Sequence, residues 1–251
     1  MLIFSGIESI GNLDCTTVSV GSFDGVHSGH SSLLRTLNAR AKECGNKSLV
    51  VSFTPHPRVT LGRTEGLKLL TSDEEKAELL KDQGIDALLY INFNKAFSKL
   101  SYEEFVIDYL IKGANMKELV VGFNHHIGHD SGNYNKLEQV AKKYGFTITL
   151  AEEFSGTGEK ISSTTIRSLL ETGNIELANR LLGHPYLMIG QSDSRGAVEF
   201  EEPLKLIPPA GQYITEINGV TQIITIDHQQ RLWCNTKNSK VKIKIVGRYE
   251  K

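Results

Sequence analysis

The sequence predicts an α/β protein: an open parallel sheet over the first two thirds, followed by a small antiparallel β-barrel-like unit. Three observations predict it. Short apolar or β-branched runs alternate five times with stretches of helical spacing up to about residue 151. Those runs are continuous rather than alternating, as in strands covered on both faces. Beyond the helical stretches that follow, the chain turns into short β-rich pieces separated by turn residues.

The expected strands of the sheet are Thr16–Val20, Ser48–Phe53, Ala87–Phe93, Glu118–Phe123 and Phe146–Ala151. Between them, helical spacing is carried in turn by Leu33, Leu34 and Leu37, by Ala77, Leu79 and Leu80, by Phe105, Tyr109 and Leu110, and by Leu137, Val140 and Ala141. Right-handed crossovers then wind the strands into one parallel sheet. Two more helices are expected, Ser163–Glu171 and Ile175–Leu182, divided by Gly173–Asn174 and ended by Gly183-His184-Pro185. Val198–Phe200, Gln212–Ile217, Thr221–Ile226, Arg231–Cys234 and Val241–Val246 are the β pieces, with Asn218–Gly219 a hairpin signal. The change of texture places a boundary near 184, giving units of residues 1–184 and 185–251. Residues 237–251 hold six Lys or Arg against one Glu and read as a solvated barrel edge; Trp233 is expected in the barrel's packing.

Composition narrows the partners. Among 251 residues, 28 Lys plus Arg face 29 Asp plus Glu, so a net charge of −1 offers no strong field for nucleic acid or an anionic membrane. Cys15, Cys44 and Cys234 are odd in number and far apart, against a disulfide scaffold or a structural zinc site and in keeping with a reducing cytoplasm. The opening MLIFSGIESIGNLD has no basic region, and no apolar run approaches the ~20 residues that span a bilayer.

The densest chemical signal is Gly21-Ser22-Phe23-Asp24-Gly25-Val26-His27-Ser28-Gly29-His30, after the first expected strand and before the first helix. The crevice beyond the carboxyl ends of an open α/β sheet is the usual ligand site. Glycines let the backbone approach a ligand, and a helix N-terminus turns unpaired N–H groups and a positive dipole end toward phosphate. His27 and His30, three apart with Gly29 between them, share a helix face and suit a polyphosphate. The pattern His-x-Gly-His is expected by composition only about 0.02 times in such a chain, so a chance pair of surface histidines is the weaker reading.

A second cluster, Ile161-Ser162-Ser163-Thr164-Thr165-Ile166-Arg167, follows the fifth strand and opens a helix. Ser162 or Ser163 can cap it, and Arg167 lies one turn on, able to return to the same end. A Ser/Thr run alone is usually just a cap. Paired with the first motif at another strand's carboxyl end, it becomes a second phosphate clamp. Thr54-Pro55-His56-Pro57-Arg58 follows the second strand and is, on its own, a rigid turn. His125, His126, His129 and Asp130 look superficially like a metal cluster, but consecutive residues rarely point at one ion, and no metal ligand is assigned.

Taken together, GSFDGVHSGH, SFTPHPR, VGFNHHIGHDSGN and ISSTTIR resemble, in order and approximate spacing, bacterial FAD synthetase, the adenylyltransferase module of the bifunctional riboflavin kinase/FMN adenylyltransferase family. The likeness covers residues 1–184 and implies a Rossmann-like nucleotidyltransferase domain. The implied reaction is FMN plus ATP giving FAD plus pyrophosphate, with Mg²⁺. The chain's lack of an obvious nucleophile agrees, since the FMN phosphate is already an anion and positioning plus charge stabilisation remain. By this resemblance His27, His30 and Arg167 are the catalytic residues, with Gly21, Ser22, Phe23, Asp24, Gly29, Ser162, Ser163 and Thr164 on ATP. Pro55, Pro57, Arg58 and Asn124 are the implied FMN contacts.

Two departures stand out. The family commonly reads VG-x-D-F-x-F-G where this chain has Asn124-His125-His126-Ile127 before Gly128, so the acidic position is uncharged. The family's kinase barrel carries a Pro-Thr-x-Asn motif that holds ATP and Mg²⁺; this chain has none. A shortened kinase-like barrel without kinase activity is therefore expected. Two rival readings are another nucleotidyltransferase of the same superfamily, which the TPHPR element opposes, and a non-enzymatic flavin-nucleotide binder, which intact phosphate motifs oppose.

Overall fold

The computed structural model describes residues 1–11, 13–122, 128–130, 132–152 and 161–249. Its packing divides the chain into two compact units. The first holds residues 1–23, 29–65 and 79–155, and the second 24–28, 66–78 and 156–251.

The first unit is built on a six-stranded sheet in the order β1-β4-β3-β2-β5-β6. Its strands are β1 (Leu2–Ser5), β2 (Thr16–Val20), β3 (Lys47–Thr54), β4 (Ala87–Asn92), β5 (Met116–Val121) and β6 (Thr147–Leu150). Every pairing is parallel. Thr16–Val20 is buried at all five positions, the double-sided cover that its continuous apolar run required. Successive strands run outward from β2 through β3 to β4, and then from β5 to β6 on the other side. The order therefore reverses at β2 and β5, where open α/β sheets place their ligands. Helices α1 (Ser28–Cys44) and α5 (Tyr134–Tyr144) and a π-helical stretch, Phe105–Gly113, accompany the sheet. Val18, Leu49, Leu89, Leu110, Leu119 and Leu137 are among the core residues they share. The five expected strands are present; β1 joins them at the edge, where Leu2 and Ile3 stay 57% and 55% exposed.

The second unit is a closed barrel in the order β10-β11-β8-β7-β12-β9. Its strands are β7 (Tyr186–Ser192), β8 (Ala197–Glu199), β9 (Gly211–Ile217), β10 (Val220–Ile226), β11 (Leu232–Trp233) and β12 (Lys240–Arg248), all paired antiparallel. Asn218 and Gly219 both take positive φ, 49° and 86°, the turn that joins twisted strands in a two-residue hairpin. Helices α6 (Ser163–Glu171) and α7 (Ile175–Leu182) fall where the spacing predicts.

Helices α6 and α7 pack with the barrel: Ile166, Leu170, Ala178 and Leu181 share one core with Tyr186, Tyr213, Ile224 and Ile243. Apolar spacing marks a helix face but not which neighbour covers it. Two expectations are corrected here. The basic C-terminal run is not an edge: β12 lies between β7 and β9, and Lys240, Lys242 and Lys244 pair with Glu74, Glu78 and Glu216. Trp233 is only half-buried, its indole N–H donating to Asp227 Oδ2 at 3.2 Å.

Candidate active site

In the first unit, the turn after β2 opens onto a cavity of about 600 Å³ at the carboxyl end of that strand. Gly21, Ser22, Phe23 and His30 line one part of it; Phe53, Phe93, Phe97, Phe105, His56 and His129 line another. The His30 ring lies 5.1 Å from that of Phe23, tilted by 52°. Phe97 is the hub of the aromatic wall, with centroids 5.8, 5.4, 5.6 and 5.1 Å from Phe53, Phe93, Phe105 and Tyr109. Most of these contacts are edge-on or tilted, the arrangements aromatic quadrupoles favour. A flat apolar ring system fits such a wall, and a histidine of the first motif shares the same space.

The proline element takes a defined form. Pro57–Thr60 makes one helical turn (α2), and His56 caps it, its Nδ1 accepting from Arg58 N at 3.2 Å. Pro57 lines the cavity, whereas Pro55 and Arg58 are exposed and outside its lining. Gly29 is half-buried at the start of α1. Asn124 lies outside the described residues. So do His125 and His126. Their companions are occupied: Asp130 Oδ1 accepts from Tyr102 N at 2.9 Å, and His129 Nδ1 meets Leu100 O at 3.0 Å.

In the second unit, residues 24–28 meet the start of α6. Gly25 has φ 83° and Val26 φ 40°, the latter rare for a β-branched residue. A Cβ at Gly25 would stand 2.7 Å from Leu70 Cδ1, so glycine is required there by space as well as by φ. Ser162 is the cap of α6, accepting from Thr165 N at 3.1 Å, which leaves Ser163 to donate to Asp24 O at 3.0 Å. Thr164 is exposed. Arg167 reaches the same aspartate. Its Nη2 donates to Asp24 Oδ2 at 2.7 Å, with side chains 14% and 3% exposed. Its Nε is buried with no hydrogen-bond partner among the described residues.

The remaining bonds of Asp24 come from Leu70 N, Thr71 N and Thr71 Oγ1 at 3.2, 2.9 and 3.1 Å. Both oxygens of this carboxylate are thus engaged. Burial pushes the His27 imidazole down to about 4, against a partial upward pull from Asp24. It is therefore neutral at pH 7 and able to donate a single hydrogen bond.

The sequence comparisons agree on one family. The FAD synthetase family model matches residues 10–165. The bifunctional riboflavin kinase/FMN adenylyltransferase of Escherichia coli (strain K12) is 32% identical over 232 residues, covering 88% of this chain and 74% of that protein. Its namesake in Bacillus subtilis (strain 168) is 34% identical over 219 residues, covering 81% and 68%. The chain belongs to the FAD synthetase family. A solved structure, the crystal structure of a macrolide-efflux protein from Streptococcus pneumoniae, superposes with a TM-score of 0.83. At 22% identity, covering 99% of this chain and 90% of that one, it bears on the fold alone. No described helix here is long and apolar enough to cross a membrane.

Sequence reasoning missed several residues of these two clusters. Phe93, Phe97 and Phe105 sit in different elements, and no local pattern gathers them into one wall. Leu70 and Thr71 carry no motif at all. His184, read only as part of a helix end, faces Gly25 O with Nε2 at 3.0 Å, and the Gly183-His184-Pro185 punctuation was its one visible signal.

Proposed function

We infer that this chain is an FMN adenylyltransferase, moving AMP from ATP to the phosphate of FMN and releasing pyrophosphate. One observation carries this beyond family membership: His30 of the His-x-Gly-His turn and a wall of phenylalanines line a single cavity. That pairs a phosphate-handling group with a surface for a flat, apolar ring.

An oxygen of the FMN phosphate attacks the α-phosphorus in line, the bond to the β-phosphate bridge breaks, and that electron pair leaves on pyrophosphate. No protein nucleophile enters; the residues position the reactants and stabilise developing charge. His27 and His30 serve the triphosphate, with Gly21, Ser22, Phe23 and Gly29 shaping the turn around it. Ser162, Ser163, Thr164 and Arg167 serve the β- and γ-phosphates. Pro57, with Pro55, Arg58 and Asn124, serves FMN.

The described residues hold no group of three or more His, Cys, Asp or Glu suited to a metal, and Asp24 is engaged. Mg²⁺ enters with ATP as the counter-ion of the triphosphate. We place the reaction in the cytoplasm, in keeping with three unpaired cysteines. The nucleotidyl-transfer chemistry is assigned to residues 1–184 and no riboflavin kinase activity to 185–251, since Pro-Thr-x-Asn is absent from the sequence.

The test is a chromatographic assay on purified protein with ATP and Mg²⁺, offering FMN or riboflavin. FAD from FMN and no product from riboflavin is the expected result. FMN formed from riboflavin overturns the kinase assignment, and no FAD from FMN overturns the activity.

A further inference from the structure

We propose that Asp24 is a positioning residue for Arg167, and that the barrel holds Asp24 in place through Lys205 and residues 69–71. This gives the barrel a part in adenylyl transfer, and it rests on the activity inferred above.

A carboxylate in a phosphate site needs explaining, because its charge repels the substrate. Asp24 is 2% exposed and its carboxylate accepts four hydrogen bonds, so it has no accessible carboxylate oxygen to offer a nucleotide or a metal. Its useful output is the 2.7 Å ion pair that selects one orientation of the long Arg167 side chain. The other three donors to Asp24 all come from Leu70 and Thr71.

Those two residues are held by the barrel unit. Leu69 N donates to Leu204 O at 2.7 Å and Leu206 N to Leu69 O at 2.9 Å, a short parallel bridge. Between them, Lys205 Nζ donates to Leu70 O at 2.6 Å, to Glu75 Oε2 at 2.6 Å and to Leu187 O at 2.9 Å. Glu75 Oε1 accepts from Ile189 N at 2.6 Å. Leu187 and Ile189 belong to β7. A continuous hydrogen-bonded route thus runs from a barrel strand through Lys205 and Leu70 to Asp24 and Arg167. Lys205 and Glu75 are both almost fully buried, so neither is lost to solvent as a link.

The test is a set of double-mutant cycles in the full chain, reading kcat/KM for ATP in FAD formation together with thermal melting. The variants are Asp24→Asn, Thr71→Val and Lys205→Met, each alone and combined with Arg167→Ala. Asp24→Asn alone is expected to lower kcat/KM by about ten- to a hundredfold, and Thr71→Val by about three- to tenfold, through misplacement of the charge-stabilising guanidinium. Combined with Arg167→Ala, each is expected to cost less than about twofold further, since what it positions is already gone. Melting is read for every variant, and rates are compared only among chains that are folded at the assay temperature, so loss of the fold does not produce that pattern. If Lys205→Met fails to fold, Asp24→Asn and Thr71→Val decide. Equal losses with and without Arg167 overturn the proposal. A wild-type chain that makes no FAD refutes the activity instead, and the same cycles read as ATP affinity by calorimetry then decide the relay separately.

Discussion

The buried pair Lys205–Glu75 gives the sharpest stability prediction. Their side chains are 2% and 1% exposed and 2.6 Å apart. Lys205→Met leaves a buried carboxylate without its counter-charge, which costs about 3–5 kcal/mol. Swapping both partners for apolar residues is often neutral elsewhere. Here it is not, because each partner also serves the backbone. Lys205 donates to Leu70 O and Leu187 O, while Glu75 accepts from Ile189 N and Ser72 N. The double variant Glu75→Leu/Lys205→Met orphans those four groups, at about 1–3 kcal/mol for each that stays buried. It should therefore remain at least about 3 kcal/mol less stable than wild type. Urea unfolding followed by fluorescence of Trp233, the one tryptophan, reads the barrel directly. A double variant as stable as wild type would refute the reasoning.

Three further predictions concern the site. His27 has a folded pKa of about 4 against 6.5 unfolded, so the unfolded chain binds more protons between those values. Stability then rises with pH across about 4 to 6.5, with a penalty of about 3 kcal/mol complete below pH 4; a His27→Asn chain with the same pH slope as wild type would remove this account. His30→Ala should lower FAD turnover by several tens-fold or more, read from initial rates, and near-wild-type activity would sink its role on the triphosphate. Phe97→Ala should raise KM for FMN about three- to tenfold with little change in KM for ATP, from the loss of about 0.5–1.5 kcal/mol of aromatic contact; an equal rise for both substrates would mean the wall does not hold the flavin.

What the sequence made legible was what is local. The four inner strands, β2 to β5, are continuous apolar runs because both faces are covered, and α6 and α7 are bounded by Ser162, Asn174 and Gly183, residues whose capping chemistry shows in one dimension. The His-x-Gly-His turn is likewise a contiguous string of glycines and histidines, visible in one dimension. β1 escaped because four residues with two exposed apolar side chains carry no periodic signature. β7 is missing from the expected β pieces because its apolar run does not alternate, with the polar Gln191 and Ser192 only at its end.

The rest was hidden for a different reason: it is made by pairs far apart in the chain. Thr71 and Asp24 are 47 residues apart, Arg167 and Asp24 143, and Lys205 and Glu75 130. A lysine in a sequence reads as a surface residue by default, because burying its charge is costly. Only the folded chain brings three acceptors together on Lys205 Nζ, and only then does the expense of burying it become informative. A cation placed there by packing alone would be replaced by an apolar residue at little loss, whereas one that fixes Leu70, and through it the acid that orients Arg167, cannot be. The least legible residue of the barrel unit is thus the one through which the barrel bears on the phosphate clamp.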